Sequence, residues 1–188
     1  EQRDTYGEPS GHRPASHAVP KLDDLLTTIQ PDILVMQTGS NLFGLFSGRE
    51  KVKPDRDGPM LRKYLVPFVK KAITPPSKLR KIYWVAPPIS GRVSGEVQEF
   101  VFEQTQKGIG SVTDIIDSRK LNSYPYKHME PDKEHFVGED MNKWADKVWS
   151  EIDRNLSAQS WSDVRPLSES IAKLAPVAAP TATPATAS

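Results

Sequence analysis

Hydrophobic residues along this chain follow two alternating spacings. Apolar positions recur at helical spacing in four segments, over residues 18–29, 59–72, 94–108 and 141–152. Between these segments lie two short, continuous apolar runs, at 33–36 and 82–86, and a third strand-like segment at 112–116. Such runs are typical of strands covered on both faces. Strands that alternate with helices predict an α/β fold with a parallel sheet and helices on both faces.

The same spacing predicts which side chains face the core. On the second helix these are Leu61, Tyr64, Leu65, Phe68, Val69 and Ala72. On the last helix they are Met141, Trp144, Ala145, Val148, Trp149 and Ile152. Trp84 lies within a strand and is expected in the core as well, whereas the charge-rich segment 49–62 is expected to be a solvated loop and helix start.

The domain boundaries follow from changes in composition. Residues 1–15 are polar and are interpreted as a loop or a remnant of an N-terminal part, and 16–156 form the α/β domain. Residues 157–174 are either a segment that docks on the domain or a linker. Residues 175–188 contain only Ala, Pro, Thr, Val and Ser, which predicts a disordered tail.

Composition excludes several classes of function. The net charge is +1, from 25 basic and 24 acidic residues, which gives no electrostatic case for nucleic-acid binding. No apolar stretch approaches the ~20 residues that a membrane-spanning helix needs. The absence of cysteine excludes disulfides, thiolate catalysis and Cys-type zinc sites. We expect no cofactor and no metal.

Polar residues follow each predicted strand, where open parallel sheets collect their chemistry. Gly39 and Asn41 follow the first strand. The glycine allows a tight turn, and the Asn amide can donate a hydrogen bond to a developing oxyanion. Asn41 is also well suited to an ordinary turn. Three further residues on the other loops are candidates for contacting sugar hydroxyls or carboxylates: Arg92, Arg119 and Tyr124.

Asp132 and His135 lie one turn apart, just before the last helix. An imidazole can take a proton from a nucleophile, while a carboxylate fixes its tautomer and stabilises the imidazolium. The same spacing also occurs in a solvated acid beside a surface histidine. A metal role is disfavoured because no further cluster of ligands completes a coordination sphere.

No serine in the chain is an evident nucleophile. Ser40 follows a glycine at a strand end but lacks the Gly-x-Ser-x-Gly elbow. Ser10 has no strand before it to hold it rigidly. Both are more simply interpreted as cap or turn residues.

Two motifs in this order resemble the SGNH (GDSL-type) hydrolase superfamily, in the branch related to alginate and cellulose O-acetyltransferases. The first is the strand 31–41, which ends in Gly39-Ser40-Asn41, and the second is the Asp-x-x-His of residues 132–135. The resemblance implies a flavodoxin-like, three-layer α/β/α fold with a five-stranded parallel sheet. It also implies that Asn41 is an oxyanion donor, His135 the catalytic base and Asp132 its orienting acid.

The chain lacks the part of the family's pattern that carries the nucleophile. The family's nucleophile lies in a Gly-Asp-Ser motif after its first strand, and this chain has neither that motif nor the family's first two strands. The nucleophile is therefore lost, or it is supplied by a missing N-terminal segment or by a partner chain.

The resemblance predicts a serine-type acyl-ester hydrolase or O-acetyltransferase that acts on O-acetyl groups of a carbohydrate, in the periplasm or secreted. The alternative is a catalytically inactive SGNH-like module that binds a glycan or a protein. A response-regulator-like protein would need an acidic cluster at the strand ends, and the sequence has none there.

Overall fold

The computed structural model describes residues 21–37, 42–43, 52–121, 136, 138–174 and 176. Five of the candidate site residues lie outside this part of the chain: Gly39, Asn41, Tyr124, Asp132 and His135. The two serines that were considered as nucleophiles, Ser10 and Ser40, lie outside it as well.

Three parallel strands form a sheet in the order β1-β2-β3. The strands are β1 (Ile33–Gln37), β2 (Lys81–Val85) and β3 (Asp114–Ile116). Val35 is opposite Tyr83, and Tyr83 is opposite Asp114. The predicted α/β class with a parallel sheet is confirmed, and this sheet is compatible with a flavodoxin-like fold.

In the described part of the chain, four α-helices alternate with these strands. They are α1 (Leu22–Ile29), α2 (Gly58–Ile73), α3 (Gly95–Ile109) and α4 (Glu139–Ser157). A short 3-10 helix at Ser118–Lys120 follows β3, and another at Leu167–Lys173 follows α4.

Local sequence explains where several of these helices begin and end. Pro59 is in the first turn of α2, where the missing N–H costs nothing. The Oγ of Ser94 accepts a hydrogen bond of 3.4 Å from the N–H of Val97 and caps α3. Gln30 ends α1 in the left-handed conformation, with φ of 49°. Gly138 turns the chain into α4 with φ of 54°, a conformation that glycine adopts without steric cost.

The sheet separates two hydrophobic cores. Leu34, Ile82 and Trp84 face the larger core with α1, α2 and α3, while Tyr83 and Val85 face a smaller core with α4. Trp84 is 1% exposed, which confirms its predicted burial. Side chains of β2 alternate between the two cores, as the period of a strand requires.

Burial on two helices differs from the prediction. Tyr64 of α2 is 52% exposed, and on α4 Met141 is 51% exposed, Trp149 is 60% exposed and Ala145 is exposed. Val148 and Ile152 are the α4 residues that are buried against the sheet. Helical spacing identifies an apolar stripe, but the width of the described sheet determines how much of that stripe is covered.

The segment 49–62 was expected to be solvated, and at Asp57 that expectation is wrong. Asp57 is 3% exposed. Its carboxylate accepts hydrogen bonds of 2.9 Å from the Lys53 N–H and 2.7 Å from Arg56 Nε. The bond from Arg56 holds the pKa of the Asp57 carboxyl below its usual range. A charge can be buried here because its oxygens are satisfied locally.

Residues 158–174 pack back on the sheet's amino end. The backbone N–H of Leu167 donates to the carbonyl of Leu79 at 2.8 Å, and Ser111 Oγ donates to the carbonyl of Lys173 at 2.8 Å. Ile171 packs against the larger core.

Candidate functional site

The carboxyl ends of the three strands define one edge of the sheet. Because the strands are parallel, Gln37, Val85 and Ile116 end at that edge. Lys81 Nζ, at the opposite edge, donates a hydrogen bond of 3.2 Å to Gln159, just beyond the end of α4. Helix α4 therefore runs antiparallel to the strands, and its N-terminus lies at the carboxyl edge.

Phe136 lies beside the N-terminal half of α4. Its ring centroid is 6.3 Å from that of Trp144, at an interplanar angle of 34°. Trp144 in turn packs on the smaller core under the strand ends. The Trp144 Nε1–H is buried, and no described residue accepts a hydrogen bond from it. The residue before Phe136 in sequence is His135, which lies outside the described residues.

A buried hydrogen bond joins the loop after β3 to the loop after β2. Ser118 is 0% exposed, and its Oγ donates to the carbonyl of Ala86 at 2.8 Å. The N–H of Ala86 donates to the carbonyl of Ile116 at 2.9 Å and extends the strand pairing by one bond. These two bonds hold the loops after β2 and β3 together at the carboxyl edge.

An ion-pair cluster surrounds Arg119. Its Nε and Nη2 donate to the two carboxylate oxygens of Asp117 at 2.7 and 2.8 Å, and Nη2 is 3.0 Å from Glu99 of α3. The guanidinium carbon lies 4.8 Å from the ring centroid of Phe102. Arg119 has 11% side-chain exposure. The main role of Arg119 is therefore to hold the loop after β3 in place.

The charges of this cluster shift two pKa values. Burial alone raises the pKa of Asp117, but hydrogen bonds and charges from Arg119 and Lys120 outweigh that effect and hold the pKa below its ordinary value. The hydrogen bond to Asp117 raises the pKa of Arg119. Both groups stay ionised at neutral pH, so neither has a pKa near neutrality, as a general acid or base needs.

Gln98 of α3 holds the loop that carries Arg92. Its Oε1 accepts from the N–H of Ser90 at 3.1 Å, and its Nε2 donates to the carbonyls of Ser90 at 2.9 Å and of Val93 at 3.0 Å. The Ser90 Oγ accepts from the N–H of Arg92 at 3.1 Å. The Arg92 side chain is exposed on this fixed loop. Consecutive residues of α3, Gln98 and Glu99, thus contact the loops after β2 and β3.

Sequence reasoning missed Gln98 and Ser118 as organisers of this edge. Ser118 had a detectable signal, because it directly follows Asp117 at the end of a predicted strand. Gln98 is a polar residue on the buried side of a helix, and a buried polar side chain needs partners. Its partners on the loop after β2 could not be identified from spacing alone.

Two serines near this edge, Ser90 and Ser118, are not arranged as nucleophiles. Ser118 and Ser90 are both buried, and both hydroxyls take part in hydrogen bonds. Over the described residues there is no group of three or more His, Asp or Glu side chains that could hold a metal ion. In that part of the chain no helix is long and apolar enough to cross a bilayer.

Comparisons with known proteins give no relative: no family model, no curated protein and no solved structure matches this chain.

Proposed function

We propose that this chain is part of an SGNH-type serine hydrolase or O-acetyltransferase that acts on O-acetyl groups of a carbohydrate outside the cytoplasm. The observation that supports this proposal is the organisation of the carboxyl edge. The loops after β2 and β3 are fixed there by Gln98, Glu99 and Ser118, and Phe136 lies at the same edge against Trp144.

The proposed chemistry is acyl transfer through a covalent intermediate. A serine hydroxyl attacks the acetyl carbonyl, and His135 accepts the hydroxyl proton while Asp132 orients its ring. The negative oxygen that develops on the carbonyl carbon accepts a hydrogen bond from the amide of Asn41, with Gly39 allowing the turn that presents it. His135 then returns the proton to the leaving sugar oxygen. Water or a second sugar hydroxyl releases the acetyl group.

In this proposal the serine comes from polypeptide outside the described residues, either an N-terminal segment or a partner chain. Arg92 contacts the carbohydrate directly, because its side chain is exposed on a loop whose backbone Gln98 holds in place. Tyr124 supplies a second contact. Arg119 supports the same surface through its bidentate pair with Asp117.

A catalytically inactive module that binds a glycan or a protein is the second candidate. One observation favours it: Ser90 and Ser118, at the carboxyl edge, are buried and hydrogen-bonded, and Ser94 there caps α3. Under this proposal Arg92 and Tyr124 contact the bound molecule and no acyl transfer follows.

The test is hydrolysis of p-nitrophenyl acetate by the complete gene product and its His135→Ala variant. Removing the base of a triad lowers kcat by about 10⁴-fold or more, so we expect turnover to fall to background. His12→Ala is the matched control, because free imidazoles hydrolyse this ester slowly and that contribution must be subtracted. Equal turnover by His135→Ala and wild type would remove His135 from the mechanism. A folded gene product with no turnover that retains an acetylated oligosaccharide would support the binding module.

A further inference from the structure

The outward side of helix α2 is basic. The 16 residues of this helix include four basic side chains and no acidic one. Lys63, Pro67 and Lys70 are all exposed, and their spacing of four and then three residues places them on one side of the helix. Neither lysine forms an ion pair with another described residue. These three residues are called the basic stripe below.

One side of helix α4 is acidic in the same way. Asp146, Trp149 and Asp153 are exposed, and their spacing of three and then four residues places them on one side of this helix. In the described part of the chain, neither aspartate has an ion-pair partner. Lys147 and Arg154 directly follow the two aspartates and so point about 100° away from them. Asp146, Trp149 and Asp153 are called the acidic stripe, and an exposed tryptophan between two charges is typical of an interaction surface.

The two stripes match each other when one helix runs antiparallel to the other. Along α2 the order is lysine, then proline four residues later, then lysine three residues later. Along α4, read backwards, the order is aspartate, tryptophan and aspartate with the same two steps. In both helices the two charges are about 10.5 Å apart along the axis, because each residue rises about 1.5 Å. In the antiparallel arrangement each lysine lies beside an aspartate, and the Trp149 ring lies on the Pro67 ring.

The two helices cannot meet within one molecule, because they pack on opposite faces of the sheet. Helix α2 contributes Leu61 and Leu65 to the larger core, whereas α4 contributes Val148 and Ile152 to the smaller core on the other face. The acidic stripe that contacts α2 must therefore belong to another molecule. A second copy of this chain carries an acidic stripe with the required spacing.

We propose that these two stripes form a contact between copies of the chain, in which α4 of one copy lies antiparallel along α2 of the next. The contact is heterologous, since each copy uses a different surface, so further copies can add at both ends of a pair. Two helix surfaces alone make a small interface, and we expect a Kd of about 100 µM. None of the charged residues in the two stripes belongs to the proposed acyl-transfer site, so this proposal and the proposed function can fail separately.

The first experiment is sedimentation velocity of the wild-type chain from about 10 µM to about 1 mM in about 50 mM NaCl. We expect the weight-average mass to rise at least about twofold over this range. In about 0.5 M NaCl the apparent Kd should be about tenfold weaker, because salt screens exposed charges. A mass that stays at that of a single chain over the whole range would overturn the proposal.

Reversing the charges then identifies the two surfaces. One variant carries Lys63→Glu and Lys70→Glu, and the other carries Asp146→Lys and Asp153→Lys. Each variant alone should associate at least about tenfold more weakly, because like charges then face each other across the contact. An equimolar mixture of the two variants should associate as wild type does, because each reversed stripe then faces a stripe of opposite charge. A mixture that associates no better than its components would overturn the pairing.

Two further variants complete the design. Lys143→Glu combined with Lys147→Glu is the matched control, because both lysines are exposed on α4 outside the acidic stripe, and it should leave association unchanged. Trp149→Ala removes an apolar contact without reversing a charge and should weaken association at least about tenfold. Circular dichroism shows that each variant is folded. Association that persists in both charge-reversed variants would assign the contact to another surface, such as the open side of β1, and would also overturn the proposal.

Discussion

The hydroxyl of Ser118 donates a hydrogen bond of 2.8 Å to the carbonyl of Ala86, across 32 residues of sequence. This contact joins the two loops at the carboxyl edge, and it is fully buried. Each loop follows a short strand, and β3 has only three residues. The loops therefore depend on side-chain contacts of this kind for a fixed position.

Ser118→Ala should destabilise the protein by about 1–3 kcal/mol, because it leaves a buried carbonyl short of a partner. Urea unfolding followed by circular dichroism measures this free energy. Ser150→Ala is the control, since Ser150 Oγ makes a similar bond of 2.7 Å to the carbonyl of Asp146 on an exposed helix surface. We expect the control to change stability by less than about 0.5 kcal/mol. Equal losses in the two variants would show that the bond at Ser118 has no special structural role.

Asp117 should make stability depend on pH in the acidic range. Its pKa in the folded protein is below the ordinary value of about 3.9. The stabilisation from its carboxylate is therefore complete above that value and is lost as pH falls through the folded pKa. Asp117→Asn should cost about 2 kcal/mol at pH 7, where it removes charged hydrogen bonds to Arg119, and should lose less stability than wild type on acidification below about pH 4.

Urea unfolding at several pH values from about 2.5 to about 7, a range that includes the ordinary pKa of an aspartate, tests this prediction. Glu103→Gln is the control, because Glu103 forms an exposed pair with Lys107 at 3.3 Å and should contribute little. Parallel stability curves for wild type and Asp117→Asn would contradict the assigned pKa direction.

The sequence predicted the elements of the fold well because each carries a strong local signal. The run 82–86 is apolar throughout, and the structure has β2 at Lys81–Val85 with Trp84 buried. Serine is a preferred residue before the first turn of a helix, and Ser94 Oγ caps α3. Pro67 lies inside α2, which runs from Gly58 to Ile73. Features of this kind depend on neighbouring residues only.

Predictions that depend on distant residues succeeded less often. Trp149 has a place on the helical stripe, but its burial depends on how many strands and helices lie beside α4. Asp57 is an exception, because its partners Lys53 and Arg56 are close in sequence, but no helical or strand period identifies them. The candidate site was identified from motifs in residues 39–41 and 132–135, which lie outside the described residues, so those roles stay predictions. What the structure adds is the support by Gln98, Glu99 and Ser118, whose partners are 5 to 32 residues away.

Gln98→Ala should loosen the loop that carries Arg92. The change removes three hydrogen bonds to the backbone of Ser90 and Val93, and two of those backbone groups belong to a buried residue. We expect a loss of about 2–3 kcal/mol in stability and faster hydrogen–deuterium exchange at residues 90–93. Gln106→Ala, at an exposed position of the same helix, should leave both unchanged. Unchanged exchange at 90–93 in Gln98→Ala would show that the loop is held by other contacts.

Arg80→Ala should release the C-terminal segment from the sheet. Arg80 Nε donates to the carbonyl of Val164 at 2.9 Å, its Nη2 donates to the carbonyl of Trp161, and its guanidinium lies 4.9 Å from the centroid of the Trp161 ring. Because a planar guanidinium makes all three contacts at once, Arg80→Lys should restore little of the loss. Limited proteolysis measures the release, and we expect cleavage within residues 158–174 to be at least about tenfold faster in both variants, since a loss of about 1.4 kcal/mol in local stability gives that factor. Lys78→Ala, an exposed neighbour, should leave the cleavage rate unchanged. If Arg80→Lys resists cleavage as well as wild type, a positive charge alone holds the segment and the planar guanidinium is not needed.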